Sequence, residues 1–381
     1  MALRATNAVI DLTAIRNNIA QIKSCLPQNC KILVVVKGNA YGLGAVPISK
    51  MLGRVGVSYL GVAALSEAVE LRKQQIGLPI LMFTEGFIAE YGELLQNNVT
   101  QTVFSFKKAH EIDIVAGATD KRSDIHLKVD TGMGRVGCPY DAAFDTVMMI
   151  IRELEHTFLE GIYTHFPVAE EPTDGDNDAF TLRQIDMMSK LRSRLAAEGV
   201  HIPIFHCANS GGVLNYPTAA FDMVRVGIAA YGCHPSSQGR RLKLEHAVTF
   251  RTKVIHVKRV PAGMSISYGR KYVTGKETTI ATLPVGYADG YPRALSSLGK
   301  VLIHGKEYPV AGRVCMDMLM VDVGDGPVKV EDEAVLFGRQ GNASLNLEDI
   351  ARSIGTVPYE IICRIAPRVP RIHVGHEEID L

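Results

Sequence analysis

The sequence predicts an α/β fold: a (β/α)8 barrel as the N-terminal domain, followed by a mainly antiparallel β C-terminal domain. Three observations predict it. Eight β-rich runs alternate with helical segments before residue 240; polar, chemistry-bearing residues recur where those runs end; and the pattern beyond residue 240 changes to short, partly alternating runs separated by glycine turns. We place the barrel at 12–240, the β-rich domain at 241–381, and a short strand at 1–11 ahead of the barrel.

The barrel strands are expected at 32–36, 59–64, 80–83, 100–105, 124–129, 160–165, 203–207 and 223–229. The first, Ile32 to Val36, is wholly apolar and β-branched, as a strand buried on both faces should be. Among the helices, Ser66 is placed to cap a segment that carries Glu67 and Glu70 in its first turn, where acidic groups suit the helix dipole. A long helix begins near 178, with Leu182, Ile185, Met188, Leu191 and Leu195 as its apolar face and Gly199 as its stop. In the second domain only 347–355 reads as helical.

Composition narrows the function classes. The chain has 381 residues, 47% hydrophobic and 21% charged, with a formal net charge of +1, so nothing in its charge balance invites nucleic acid or an anionic membrane as a partner. No apolar run approaches the roughly 20 residues needed to span a bilayer, and the first residues lack the apolar core of a secretory signal; a cytoplasmic location is the expectation. Seven scattered cysteines with no paired CxxC spacing read as reduced thiols, with no metal site expected. No repeat or low-complexity linker separates the domains, which should pack closely.

Barrel active sites gather at the carboxyl ends of the strands. Those ends carry Lys37 and Tyr41, then Lys128 and Arg135, His165, His206 with Asn209 and Ser210, and Arg225 with Gly227. Alone, Lys37 reads more readily as a lysine lying along a strand end. Facing the glycine- and serine-bearing loops HCANSGGVL and RVGIAAYG, which suit a phosphate, it reads as a covalent anchor for pyridoxal 5'-phosphate, whose aldehyde condenses with an amine. Arg225 pairing with Asp222 in a purely structural role is the alternative for that arginine.

At this point the chain closely resembles bacterial alanine racemase, a family of fold-type III pyridoxal phosphate enzymes. VVKGNAYGLG resembles the family's cofactor-lysine motif and KVDTGMGRVG its substrate-arginine motif. GIYTHF, HCANSGGVL, MVRVGIAAYG, SISYGRKY, LPVGYADGYPR, GRVCMDM and TVPYE follow in family order. The resemblance implies an isomerase that interconverts L- and D-alanine with two bases, Lys37 and Tyr268, the latter supplied by the partner in a head-to-tail homodimer with shared sites. It implies D-alanine production for peptidoglycan as the family role.

By the same resemblance Tyr41, Ser210, Gly227, Ile228 and Tyr359 bind the phosphate, while His165 and Asn209 position the cofactor. His206 supports Arg225 at the ring nitrogen. Arg135 and the backbone of Met316 hold the substrate carboxylate, and Lys128, often carbamylated in the family, orients Arg135. Tyr287, Arg293, Arg313 and Asp317 belong to the substrate corridor, and the first strand joins the second domain. This chain departs from the family pattern at Gly38, Leu43 and Glu170, where alanine, histidine and aspartate are usual, so serine or another small amino acid is expected beside alanine as a substrate.

The chemistry is coherent with those roles. Racemisation removes a proton from one face and returns one to the other, which calls for two bases. A guanidinium opposite the ring nitrogen does not surrender a proton, which weakens the ring as an electron sink and favours prompt return of the proton to the α-carbon.

Overall fold

A computed structural model describes residues 4–171, 175–235 and 242–375. Eight parallel strands form the first domain, in chain order Lys31–Val35, Tyr59–Val62, Ile80–Met82, Val99–Val103, Ser123–Asp130, Thr157–Tyr163, Ile204–His206 and Met223–Val226. The first seven pair in sequence order, and the eighth returns to pair with the first. Between the seventh and eighth there is no ladder. Single backbone bonds, Asp222 N–H to Phe205 O (3.0 Å) and Arg225 N–H to Ala208 O (2.9 Å), bring the barrel almost to closure. All eight expected strands are present, most of them one to three residues shorter because the last positions turn into the site loops.

Helices cover the outside, and their faces follow packing rather than hydropathy alone. In Gly175–Ala197 the buried stripe is Thr181, Gln184, Ile185, Met188, Leu191 and Leu195, while Leu182 is 47% exposed. The expected apolar face is corrected at that position: residue 181 lies nearer the stripe through 185 and 188, and a threonine fills it. No helix among the described residues is long and apolar enough to cross a membrane.

Ser66 does not cap its helix. Leu65–Lys73 begins after Ala64, and Glu67 reaches back to accept the N–H groups of Ala63 (2.7 Å) and Ala64 (3.2 Å). A carboxylate in the first turn reaches back to two backbone donors that the shorter Ser66 hydroxyl does not reach.

The second domain centres on a sheet in which Asn7–Asp11 lies between Val248–Lys253, antiparallel to it, and Arg371–Val374, parallel to it. The chain thus enters through the second domain before starting the barrel, and Asp11 caps the next helix by accepting from Ala14 N–H (3.1 Å). A three-stranded antiparallel sheet, His256–Val260, Thr278–Leu283 and Leu319–Gly324, completes the domain with a small hairpin, Ser265–Ile266 with Tyr272–Val273. Among the described residues two α-helices occur here, not one. Leu347–Ser353 is joined by Pro358–Cys363, whose proline at the first helical turn preorganises the backbone. One buried core runs through both domains.

At their junction the His246 ring stands between the Cys233 thiol (Sγ to Nδ1, 3.7 Å) and the Glu348 carboxylate (Nε2 to Oε2, 3.3 Å). The ring turns a different nitrogen to each, which makes this a clasp between domains.

Candidate active site

Lys37 follows the first barrel strand, and the backbone after it turns left-handed. Gly38, Asn39, Ala40 and Tyr41 have φ of 63°, 55°, 52° and 56°. Ala40 N–H donates to Val36 O and Gly42 N–H to Gly38 O, both at 2.7 Å. Gly38 accepts this conformation freely, whereas each of the other three costs roughly 1–2 kcal/mol. The surroundings hold it: Glu67 accepts Gly38 N–H at 2.6 Å, and the Asn39 side chain accepts Ala45 N–H at 2.7 Å. Such strain persists where function needs the geometry. Here it points both Lys37 and Tyr41 into one cavity.

That cavity, about 1170 Å³, lies at the carboxyl ends of the strands and is lined by Lys37, Tyr41, Lys128, Arg135, His165, Asn209, Ser210, Arg225, Gly227 and Tyr359. Residues from both domains therefore meet in it. Lys37 Nζ stands 6.0 Å from the Phe83 ring centre. Burial lowers its pKa, the nearby Arg135 charge lowers it further, and Glu67 opposes both. A lysine so placed is a nucleophile and a base.

On one side the Ser210 hydroxyl accepts the N–H groups of Gly227 (3.1 Å) and Ala229 (3.4 Å). A Cβ at Gly227 would fall 2.3 Å from the Tyr41 hydroxyl oxygen, so only glycine leaves this pocket open. Tyr359 donates its O–H to Glu170 at 3.2 Å, and its ring centre is 5.6 Å from that of Tyr41. Burial pushes both phenols upward, which keeps them protonated donors. Ile228 is fully buried behind Gly227, so its side chain packs inward and any part it plays falls to its backbone. Asn209 lines the cavity while accepting Gly212 N–H and donating to Phe166 O.

Arg225, 3% exposed, is held by five contacts. Its terminal nitrogens donate to His206 Nδ1 (2.9 Å), His165 Nδ1 (3.2 Å) and the carbonyls of His206, Thr164 and Cys207. None of these uses Nε–H, among the described residues, and the side chain lines the cavity. Burial lowers its pKa to about 10, still charged at neutral pH. Both histidines are pushed well below their ordinary value, by burial first and the Arg225 charge second, and stay neutral acceptors. Asp222 is not its partner: that carboxylate pairs with Arg192 at 3.0 Å and accepts Phe205 N–H.

Lys128 is 3% exposed with no hydrogen-bond or ion-pair partner among the described residues. Burial, then the charges of Arg135 and Arg225, lower its pKa to about 8. The intervening Asp130 is spent on the loop that presents Arg135, accepting the N–H groups of Gly132 and Gly134.

The remaining expected residues do not reach this cavity in the single chain. Tyr268 is 70% exposed, Met316 54% and Tyr287 42%. They share a surface of the second domain: Tyr287 N–H donates to Cys315 O, Ser267 donates to Arg313 O, and the Arg313 guanidinium lies against Gly269. Asp317 is tied to Arg368 at 2.6 Å, and Arg293 is exposed on the adjoining turn. Glu67, expected only to suit a helix dipole, also ties the lysine turn to that helix, and His126, given no role from the sequence, lies two residues before Lys128 and so on its face of the strand. That spacing was the available signal.

The residues fit pyridoxal 5'-phosphate on observations of this molecule: an activated lysine, a glycine-opened pocket rimmed by hydroxyls, and lining cations (Lys37, Lys108, Lys128, Arg135, Arg225) that outnumber carboxylates (Glu67, Glu85, Glu170).

Comparison with known proteins adds an independent line. Residues 10–235 match the family model described as alanine racemase, N-terminal domain, and residues 247–373 the model described as alanine racemase, C-terminal domain. The alanine racemase of Desulforamulus reducens is 43% identical over 373 residues, covering 97% of this chain and 98% of the relative. That of Methanococcus maripaludis is 41% identical, covering 96% and 98%. Among solved structures, alanine racemase from Clostridium difficile superposes with a TM-score of 0.91 at 37% identity, covering 98% of this chain and 97% of that one. The Bacillus anthracis enzyme with bound L-Ala-P gives 0.89 at 36%, covering 98% and 96%.

Proposed function

This chain belongs to the alanine racemase family, which makes it an isomerase, and we propose that it interconverts L- and D-alanine with pyridoxal 5'-phosphate and two bases. The observation that carries the reading is that Arg225, charged and held at both terminal nitrogens, lines one cavity with the activated Lys37.

Bound there, the cofactor supplies an aldehyde for capture of an amino group and a ring that acidifies the α-hydrogen. Lys37 anchors it and, when released, takes or returns a proton on one face of the α-carbon. Its lowered pKa favours the free amine relative to an ordinary lysine. Ser210, Tyr41, Tyr359 and the backbone of Gly227 and Ile228 hold the phosphate. His165 and Asn209 orient the ring, and His206 steadies Arg225. Because guanidinium gives up no proton, Arg225 donates a hydrogen bond without protonating the ring nitrogen, and proton return to the α-carbon is favoured over its alternatives. Arg135, oriented by Lys128 once that amine is carbamylated, holds the substrate carboxylate with the backbone of Met316.

The partner subunit's Tyr268 serves as the second base in a head-to-tail homodimer, with Tyr287, Arg293, Arg313 and Asp317 forming the entrance. The exposure of Tyr268, Tyr287 and Met316 supports this. Serine and other small amino acids belong to the same substrate range, and seven free thiols suit a cytoplasmic location.

Purified protein incubated with pyridoxal phosphate and L-alanine, L-serine or L-lysine in deuterated water tests the reading by chiral chromatography and NMR. Alanine should approach an equal mixture of enantiomers carrying α-deuterium. Amine release would assign a decarboxylase instead, and faster turnover of lysine would move the substrate.

A further inference from the structure

Barrel interiors are normally filled by layers of branched apolar side chains. This one has a polar axis. Below Arg225, His206 Nε2 meets His126 Nδ1 at 2.8 Å, and His126 Nε2 meets Glu160 Oε2 at 3.1 Å. Tyr59 donates its O–H to the other Glu160 oxygen. Both histidines are fully buried, and Glu160 is mostly so.

Room for the chain is built into the strands. A Cβ at Gly161 would lie 2.6 Å from the His126 ring, and the pairing register between the fifth and sixth strands shifts at His126.

Every proton in the chain is determined by its end. Guanidinium only donates, so His206 Nδ1 must accept and its Nε2 must carry the hydrogen. That hydrogen goes to His126 Nδ1, which leaves His126 Nε2–H to donate to the Glu160 carboxylate. An imidazolium at His126 would break the bond to His206 or strip that ring of both protons. One arrangement therefore satisfies all four groups: Arg225 charged, two neutral imidazoles, Glu160 charged. The direct partners of Arg225 are all neutral, so its counter-charge is supplied from a distance.

We propose that Glu160 and His126 are positioning residues: through His206 they fix the orientation of Arg225 and compensate its charge along the barrel axis. The role for catalysis rests on the reading that Arg225 faces the cofactor's ring nitrogen.

The test is long-range proton–nitrogen NMR on protein labelled with 15N-histidine, purified without cofactor and again loaded with pyridoxal phosphate, the His126 signals being identified by their loss in His126→Phe. Wild-type protein should show both rings as neutral Nε2–H forms in either state. A His206 ring protonated at Nδ1, or an imidazolium at His126 at neutral pH, overturns the relay without recourse to any variant. Glu160→Gln keeps an acceptor and removes the charge. It should lower kcat about tenfold with KM nearly unchanged, the scale on which losing the partner behind a functional histidine is felt. Unchanged kcat and unchanged tautomers in Glu160→Gln also overturn the proposal. Wild-type protein that racemises nothing would refute the proposed function while leaving the tautomer result to stand by itself.

Discussion

At the mouth of the barrel Arg225 and Lys128 are each 3% exposed, whereas on the second domain Tyr268 is 70% exposed and Met316 54%. The barrel mouth is finished by its own chain: its guanidinium has all the acceptors its terminal nitrogens need, and its loops are closed by Asp130, Glu67 and Ser210. The second-domain face is well ordered at the backbone, with Tyr287 and Ala288 bonded to Cys315 and Met316, but its aromatic and sulfur-bearing side chains stand in solvent. A region that spends backbone order on presenting apolar side chains to water is arranged to meet something. Under the proposed function, that something is the mouth of a second copy.

The sharpest way to break this comparison is at Lys37. Lys37→Ala should eliminate borohydride-reducible cofactor attachment, checked by peptide mass mapping, and lower racemisation by about 10³-fold or more, since anchor and base are lost together. Attachment that persists at another lysine would move the site.

Tyr268→Phe comes next, with cofactor retained and turnover lowered on the order of 10²-fold. Mixing it with Lys37→Ala sharpens the contrast between the two regions. If each site takes Lys37 from one chain and Tyr268 from the other, a heterodimer regains one intact site, and statistical mixing restores about a quarter of wild-type activity. If both bases come from one chain, mixing restores nothing.

A smaller effect is expected at Lys128, where the cation is buried without a carboxylate. The unfolded lysine titrates near 10.4 and the folded one at about 8, so the native state pays for the charge below pH 8 and is relieved as pH rises between the two values. In carbon-dioxide-free buffer Lys128→Met should stabilise the cofactor-free protein by about 1–3 kcal/mol at pH 7, and the advantage should fade towards pH 10. Urea titration at both pH values checks the sign, and the same titration in bicarbonate reads whether the amine has been carbamylated.

The smallest effect separates fold from assembly. Tyr287→Ser should change the unfolding free energy of the isolated chain by no more than about 0.5 kcal/mol, as exposed positions do, while weakening the dimer in sedimentation experiments. A large loss in the monomer would mean that this face is part of the core.

Much of this was legible in the residues. All eight barrel strands were found because short β-rich runs alternate regularly with helical segments, and the ring of functional groups at their ends because strand ends project polar residues to one mouth. Other features were hidden. The Pro358–Cys363 helix is too short for a period to show, and Ser66 lost the cap to Glu67 because reach, not residue preference, decides which oxygen arrives at a free N–H. The left-handed run from Gly38 to Tyr41 contains three residues that disfavour it, so no local preference announces it. Leu182 points outward because the helix phase is set by its neighbours in space.

The sequence by itself determined the strand order, the lysine at the end of the first strand, the arginine on the eighth and the division into barrel and β domain, since these follow from local apolar patterning and short motifs. Tertiary structure alone decided how Tyr359 from the second domain joins Tyr41 and Ser210, and how His126 and Glu160 come to stand behind Arg225. Those relations depend on distances between residues dozens to hundreds of positions apart. Barrel closure sets them, because side chains on alternate strands converge on one axis only when the sheet has curled upon itself.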